Sequence, residues 1–256
     1  SALAMERLLV ALECARPVAW VGGLLFATGP LQVPGNLLML KCPNLYLPLV
    51  ALMLVRLRGR PSAGRAAALA LALGMALLSS YYMALLVLVT GAVWGVFDLL
   101  GGAGDRADRP RFIPFALGAT LAALVVFIAV SISYLLRPEA LASGKLAAEP
   151  APVETFGNAL FSQMAINTTG QVLLTLGAAG VMGLGNRAAS VRRATGRGIA
   201  LTLLAQLFMV GPTLHLGSWS VPGPFAALRA SPARFFRYPF RFVVVLGFGL
   251  ALLASG

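Results

Sequence analysis

Residues 112–136 read FIPFALGATLAALVVFIAVSISYLL, an apolar stretch without a single charged side chain. An α-helix rises about 1.5 Å per residue, so about 20 apolar residues cross the hydrocarbon core of a bilayer. This stretch is long enough to do so. It therefore predicts a membrane-spanning helix, and the rest of the chain is best interpreted around it.

The overall composition favours the same class. Hydrophobic residues make up 59% of the chain and charged residues 11%, and the mean hydropathy is +0.87. Soluble domains carry about 25% charged residues, because polar side chains must cover the surface that is in contact with water. The apolar residues also come in long blocks. We therefore expect an all-α fold, a polytopic transmembrane bundle of about 7–8 membrane helices, some of them short or broken.

The blocks form a single transmembrane helical domain over residues 1–256. The sequence starts and stops within helical patterns, which predicts a fragment of a longer protein. Outer loops are expected at about 30–43, 137–169 and 214–235. The predicted helices are an interfacial one at 2–14, short ones at 17–29 and 44–57, spans at 65–79, 83–100, 112–136, 170–185 and 198–213, and a last span that begins near 236.

Arginine counting sets the orientation. The connections 56–65 and 187–197 each hold four arginines and no acid, which places both in the cytoplasm by the positive-inside rule. An even number of predicted spans lies between them, so the two assignments agree. The net charge of +12 is then explained by arginines in the connections on the cytoplasmic side. We expect the lipid bilayer as a partner, and no nucleic acid.

One basic stretch falls on the outer side against this rule. Arg237 and Arg241 are four residues apart, on one face of the last predicted helix, with Tyr238 between them. Placing an arginine at the membrane edge costs free energy unless an anion pairs with it. The planar guanidinium group can donate two parallel hydrogen bonds to a phosphate. The alternatives are side chains that extend to lipid headgroups, or a topology in which this segment is cytoplasmic.

Other outer polar residues have two interpretations each. Asn36 and Lys41 lie in a Pro-broken segment between short helices, which fits a cavity wall or an ordinary loop. Tyr81 and Tyr82 fit an interfacial aromatic anchor or a sugar-binding platform.

His215 is the only histidine, so a site of several histidines is excluded within this chain. His215 and Trp219 fit interface residues as well as substrate contacts. The residues predict no metal site and no cofactor. A divalent metal would need ligands from outside this chain, and no catalytic residue is identified within it.

The order of these features resembles bacterial membrane glycosyltransferases of the GT-C type and uncharacterised membrane proteins related to them. The resemblance covers most of residues 17–256. It rests on Leu25-Phe26-Ala27, the polar break from Asn36 to Asn44, Leu47-Pro48-Leu49, Ser79-Ser80-Tyr81-Tyr82, Pro222-Gly223-Pro224-Phe225 and Arg237-Tyr238-Pro239-Phe240-Arg241.

The resemblance implies transfer of a sugar from a polyprenyl-phosphate donor on the outer face of the bacterial inner membrane. Arg237 and Arg241 match the position expected to hold the donor phosphate. The family's catalytic carboxylate usually follows the first membrane helix, yet residues 17–57 contain no acid. We therefore expect that carboxylate upstream of residue 1.

Two other classes of function remain open at this stage. Short, broken helices and an arginine pair also fit a transporter or flippase of anionic lipid-linked substrates. A non-catalytic membrane scaffold is the third possibility.

Overall fold

The computed structural model describes residues 1–28, 45–100, 109–135, 189–209, 213–216, 219–223, 226 and 242–254. These residues form eight helices and one short β-hairpin. The helices are α1 (Ala2–Ala11), α2 (Arg16–Thr28), α3 (Tyr46–Gly59), α4 (Ala63–Ser79), α5 (Tyr81–Leu100), α6 (Arg109–Leu135), α7 (Ala189–Met209) and α8 (Val243–Leu253), and the strands are β1 (Thr213–Leu216) and β2 (Trp219–Pro222).

The predicted helical fold is confirmed for most of these elements. Helices α1 to α6 lie within a few residues of the predicted segments, and the predicted break between 65–79 and 83–100 falls at Ser80, a single extended residue. Ser62 starts α4 by accepting a hydrogen bond from the backbone N–H of Arg65. The predicted span 170–185, the loops 30–43 and 137–169, and the expected helix start near 236 lie outside the described residues.

Two elements differ from the predictions. The expected connection 187–197 is wrong from Ala189 onward, because α7 begins there and carries the arginines within the helix. Its alanines and arginines are good helix formers, and no proline interrupts them. The expected loop 214–235 also contains part of an antiparallel hairpin that pairs Thr213 with Pro222. A purely helical prediction missed these strands.

The core is built around α8. Eight of its residues are buried, from Val243 to Leu253, so this helix is apolar on all sides and lies inside the bundle. It packs along α7 in the opposite direction: Phe242 stacks on Phe208 near one end, with ring centroids 4.6 Å apart, and Gly249 meets Gly198 nearer the other.

Helix α6 has the opposite character. Its stretch Arg111–Ile132 is the one segment, among the described residues, that is both long and apolar enough to cross a membrane. Only 17% of its apolar window is buried, and Leu117, Leu121 and Val125 are among its exposed side chains. A core helix of a soluble protein would bury these side chains. The other apolar helices are shorter, so helix length alone does not bear out the expected 7–8 spans.

The backbones of α7 and α8 touch where they cross. A Cβ atom on Gly249 would lie 3.0 Å from the carbonyl oxygen of Gly198 and 2.5 Å from the Thr202 hydroxyl. A Cβ on Gly198 would lie 3.0 Å from the carbonyl oxygen of Gly249. Small residues allow this approach, as they commonly do between membrane helices.

We therefore expect Gly249→Ala to lower the free energy of unfolding by about 1–3 kcal/mol, because the added methyl meets backbone atoms that cannot rotate away. Thermal or denaturant unfolding of the detergent-solubilised protein measures the loss. Gly74→Ala is the matched control, since nothing lies within 4 Å of its Cβ position, and we expect it to be neutral or stabilising by up to about 1 kcal/mol. Equal stability of the two variants would contradict the close crossing.

Candidate functional site

Most of the predicted substrate-binding residues lie in segments that the structure does not describe. Asn36, Lys41, Arg237, Tyr238 and Arg241 all lie outside the described residues. Their grouping into a site therefore stays a prediction.

The other predicted residues are placed by their backbones. Tyr81 and Tyr82 are the first two residues of α5, directly after the break at Ser80. His215 pairs with Ser220, and Trp219 pairs with Leu216, so His215 and Trp219 lie on adjacent rungs of the hairpin. The structure thus brings the backbones of His215 and Trp219 together.

Sequence reasoning missed a buried arginine. Arg197 was expected in a cytoplasmic connection, but it lies within α7 and is only 5% exposed. Its guanidinium carbon sits 4.4 Å from the centroid of the Trp94 ring on α5. A desolvated arginine over an indole face is stabilised by about 2 kcal/mol. This contact offsets part of the cost of burying a charge.

The Trp94 ring joins this arginine to the rest of the core. Trp94 stacks on Phe248 of α8, with centroids 6.3 Å apart and ring planes 23° apart. Phe26 of α2 meets Phe248 edge-on at 6.0 Å. We call Arg197, Trp94, Phe248 and Phe26 the cation–aromatic cluster. It is the point where α7, α5, α8 and α2 converge.

A local signal for Arg197 was present in the sequence. Gly196 and Gly198 flank it, and both are positions of close approach: a Cβ on Gly196 would lie 3.1 Å from the ring of Phe97. Small residues permit close helix packing, so the glycines beside Arg197 fit a packed helix as well as a loop. The arginine count of the segment outweighed this signal.

A buried acid lies at the other end of the chain. Glu6 was expected on an interfacial helix, yet it is 9% exposed and packs where α1 crosses α2 at Gly23. The Nε of Arg7 lies 3.3 Å from Glu6 Oε2. That oxygen makes no hydrogen bond, so we regard the contact as an ion pair of poor hydrogen-bond geometry.

A small cleft lies between α3 and α5. Leu47, Ala51 and Gly91 contribute to its lining together with Thr90 and Trp94. Its free volume is about 10 Å³, which is room for about one water molecule. The Thr90 hydroxyl is buried and has no protein hydrogen-bond partner, so a water molecule there would satisfy it. A sugar is too large for this space.

Among residues 1–28, 45–100, 109–135 and the other described segments, no three His, Cys, Asp or Glu side chains come together as metal ligands would. Comparison of the chain with protein-family models, curated proteins and solved structures gives no match. What can be inferred about function therefore rests on the residues and on their geometry.

The Arg197–Trp94 contact is open to a double-mutant cycle with Arg197→Met and Trp94→Leu. We expect a coupling energy of about 1–2 kcal/mol in the free energy of unfolding, since the guanidinium lies over a desolvated ring. Chemical denaturation of each variant in detergent gives the four free energies.

The matched cycle replaces Arg197→Met by Arg192→Met, which changes an exposed arginine on the same helix. This second pair should be additive within about 0.5 kcal/mol. Equal coupling in both cycles would show that the stacking of Arg197 on Trp94 has no specific energetic role.

Proposed function

We propose that this chain is the membrane-embedded helical part of a GT-C-type glycosyltransferase, which transfers a sugar from a polyprenyl-phosphate donor on the outer face of the bacterial inner membrane. One observation carries the proposal: the ends of the described helices coincide with the motifs on which the family resemblance rests.

The coincidence holds at three successive places. Helix α2 ends one residue after Leu25-Phe26-Ala27. Helix α3 has Leu47-Pro48-Leu49 in its first turn, where proline is tolerated because backbone N–H groups have no partner within the helix there. The helix ends in an arginine-rich turn. Helices α4 and α5 are separated at Ser80, within Ser79-Ser80-Tyr81-Tyr82. Three of the motifs thus lie at the ends of described helices, where the resemblance expects short helices and turns.

The proposed membrane location is supported by α6. An apolar helix of this length with its side chains exposed is unfavourable in water, and lipid is the solvent that suits it. The other apolar segments among the described residues are shorter, at Ala63–Ser79, Met83–Phe97 and Val243–Leu253. In the proposed bundle they complete their crossing with flanking residues or as half-spans.

The chemistry follows from the charges that change during transfer. The bond between the sugar's anomeric carbon and the donor phosphate oxygen breaks, and the acceptor oxygen bonds to that carbon. The departing lipid phosphate gains negative charge, and Arg237 and Arg241 are proposed to stabilise it. The acceptor's proton goes to a carboxylate acting as general base. No residue of this chain is assigned that role.

The membrane location predicts that Leu121→Arg prevents stable insertion. Leu121 is 64% exposed in the middle of α6, and an arginine near the centre of a spanning helix costs about 2.5–3.5 kcal/mol on insertion scales. The fraction of protein retained in membranes after an alkaline wash measures the effect.

Leu121→Phe is the control, because it leaves the surface of α6 apolar. We expect wild-type retention for Leu121→Phe and a clear loss for Leu121→Arg. A soluble protein would be washed off the membranes in the wild type and in both variants.

The phosphate role predicts that Arg237→Ala and Arg241→Ala each weaken polyprenyl-phosphate binding roughly tenfold or more, since a hydrogen bond to a charged group contributes about 1.5–3 kcal/mol. Titration of the full-length protein in detergent with polyprenyl phosphate gives the affinities. Arg192→Ala, an exposed arginine on α7, should bind as the wild type does.

Sugar transfer is measured separately from binding. Full-length protein that binds the donor normally but never transfers its sugar to any acceptor would sink the transferase proposal and favour a transporter or flippase. Wild-type affinity in both Arg237→Ala and Arg241→Ala would remove the proposed phosphate site.

A further inference from the structure

The turn between α3 and α4 is fixed by one of its own arginines. Arg65 Nη1 donates hydrogen bonds to the backbone carbonyls of Arg56, at 2.7 Å, and Arg60, at 3.1 Å. These carbonyls lie at the C-terminal end of α3, where unpaired oxygens and the helix dipole favour a cation. Arg65 therefore holds the end of α3 against the start of α4.

The remaining charge of this turn faces outward. Arg56 and Arg60 are both exposed. No Asp or Glu occurs anywhere between Glu13 and Asp98 in the sequence, so no acid of the same segment is available to neutralise them. The turn thus presents concentrated positive charge on a rigid backbone.

An exposed apolar stripe begins at the same turn. Along α4, Gly64, Ala68, Leu71, Met75 and Leu78 are exposed, and they recur at intervals of three or four residues, which places them on one face of the helix. We call this surface the α4 stripe. From Gly64 to Leu78 it runs roughly 21 Å. One leaflet of a bilayer contributes about 15 Å of hydrocarbon.

We infer that the α3–α4 turn and the α4 stripe together bind an anionic phospholipid. The phosphate of the headgroup lies at Arg56 and Arg60, and an acyl chain lies along the stripe. This inference rests on the proposed membrane location, and it is independent of sugar transfer and of Arg237 and Arg241.

The combination of the two surfaces selects this ligand. A free phosphate would use the arginines and leave the stripe without a partner. A nucleic acid would extend over more basic surface and would gain nothing from leucine and methionine side chains. A phospholipid with a neutral headgroup would cover the stripe but would leave the net charge of the turn unbalanced. An anionic phospholipid matches both parts.

The test uses the intact chain and its Arg56→Gln, Arg60→Gln and double variants, reconstituted with mixtures of phosphatidylcholine and phosphatidylglycerol. Arg65 is left unchanged because it holds the turn, and the Arg56 carbonyl that it binds survives the substitution. Native mass spectrometry counts the lipids of each kind that remain bound after release from the bilayer.

We expect the wild type to retain phosphatidylglycerol in preference to phosphatidylcholine. Each removed charge should reduce that preference roughly fivefold. Raising the salt concentration from about 50 mM to about 500 mM should reduce it as well, because exposed charges are screened. Arg16→Gln, which removes an exposed arginine at the start of α2, should keep the wild-type preference.

Three outcomes would overturn the inference. One is equal retention of the two lipids by the wild type. Another is a double variant that retains as much phosphatidylglycerol as Arg16→Gln does. The third concerns the lipid-free protein in detergent. If inorganic phosphate raises its melting temperature as much as phosphatidylglycerol does, the site binds free anions. A melting temperature of the double variant that stays unchanged in pure phosphatidylcholine excludes misfolding as the cause of any loss.

Discussion

The contact between the backbones of α7 and α8 at Gly198 and Gly249 is the constraint from which the core geometry follows. Two helices reach this separation only where neither has a side chain in the way. Because Phe248 is next to Gly249 on α8, the crossing sets where its ring can lie. That ring meets Trp94 and Phe26, so α5 and α2 are positioned by the same crossing.

Three buried polar side chains in this core, those of Arg197, Thr195 and Thr90, lie beside a partner or a small space. The Arg197 guanidinium lies on the Trp94 ring, and Thr195 bonds to the carbonyl of Val191 one turn earlier. Thr90 is buried beside a cleft with room for about one water molecule. Arginine thus has distinct roles in the described residues, besides that of Arg65 in the α3–α4 turn. Arg197 stabilises the core, whereas Arg56 and Arg60 give the surface its charge.

The sequence predicted most helices well, but it predicted the start of α7 and the hairpin that follows it poorly. Composition and apolar blocks depend on local properties, so the ends of α4, α5 and α6 were predicted to within three residues. The start of α7 differs from the prediction because clustered arginines are typical of cytoplasmic loops but also favour a helix. The hairpin of β1 and β2 was missed because its strands are only four residues long, too short for a clear alternating pattern. The phosphate site at Arg237 and Arg241 came from topology and resemblance, and it remains a prediction.

The sequence by itself determined the order of the helices and the apolar length of α6, because runs of consecutive apolar residues are a local property of the chain. Only the tertiary structure decided which charges leave the surface. Glu6 and Arg197 look like ordinary polar interruptions in their own segments. Their burial depends on Gly23 and on Trp94, which belong to other helices, and no local pattern identifies these partners. For the same reason, the exposed face of α4 could be recognised only once its packing against α3 and α6 was known.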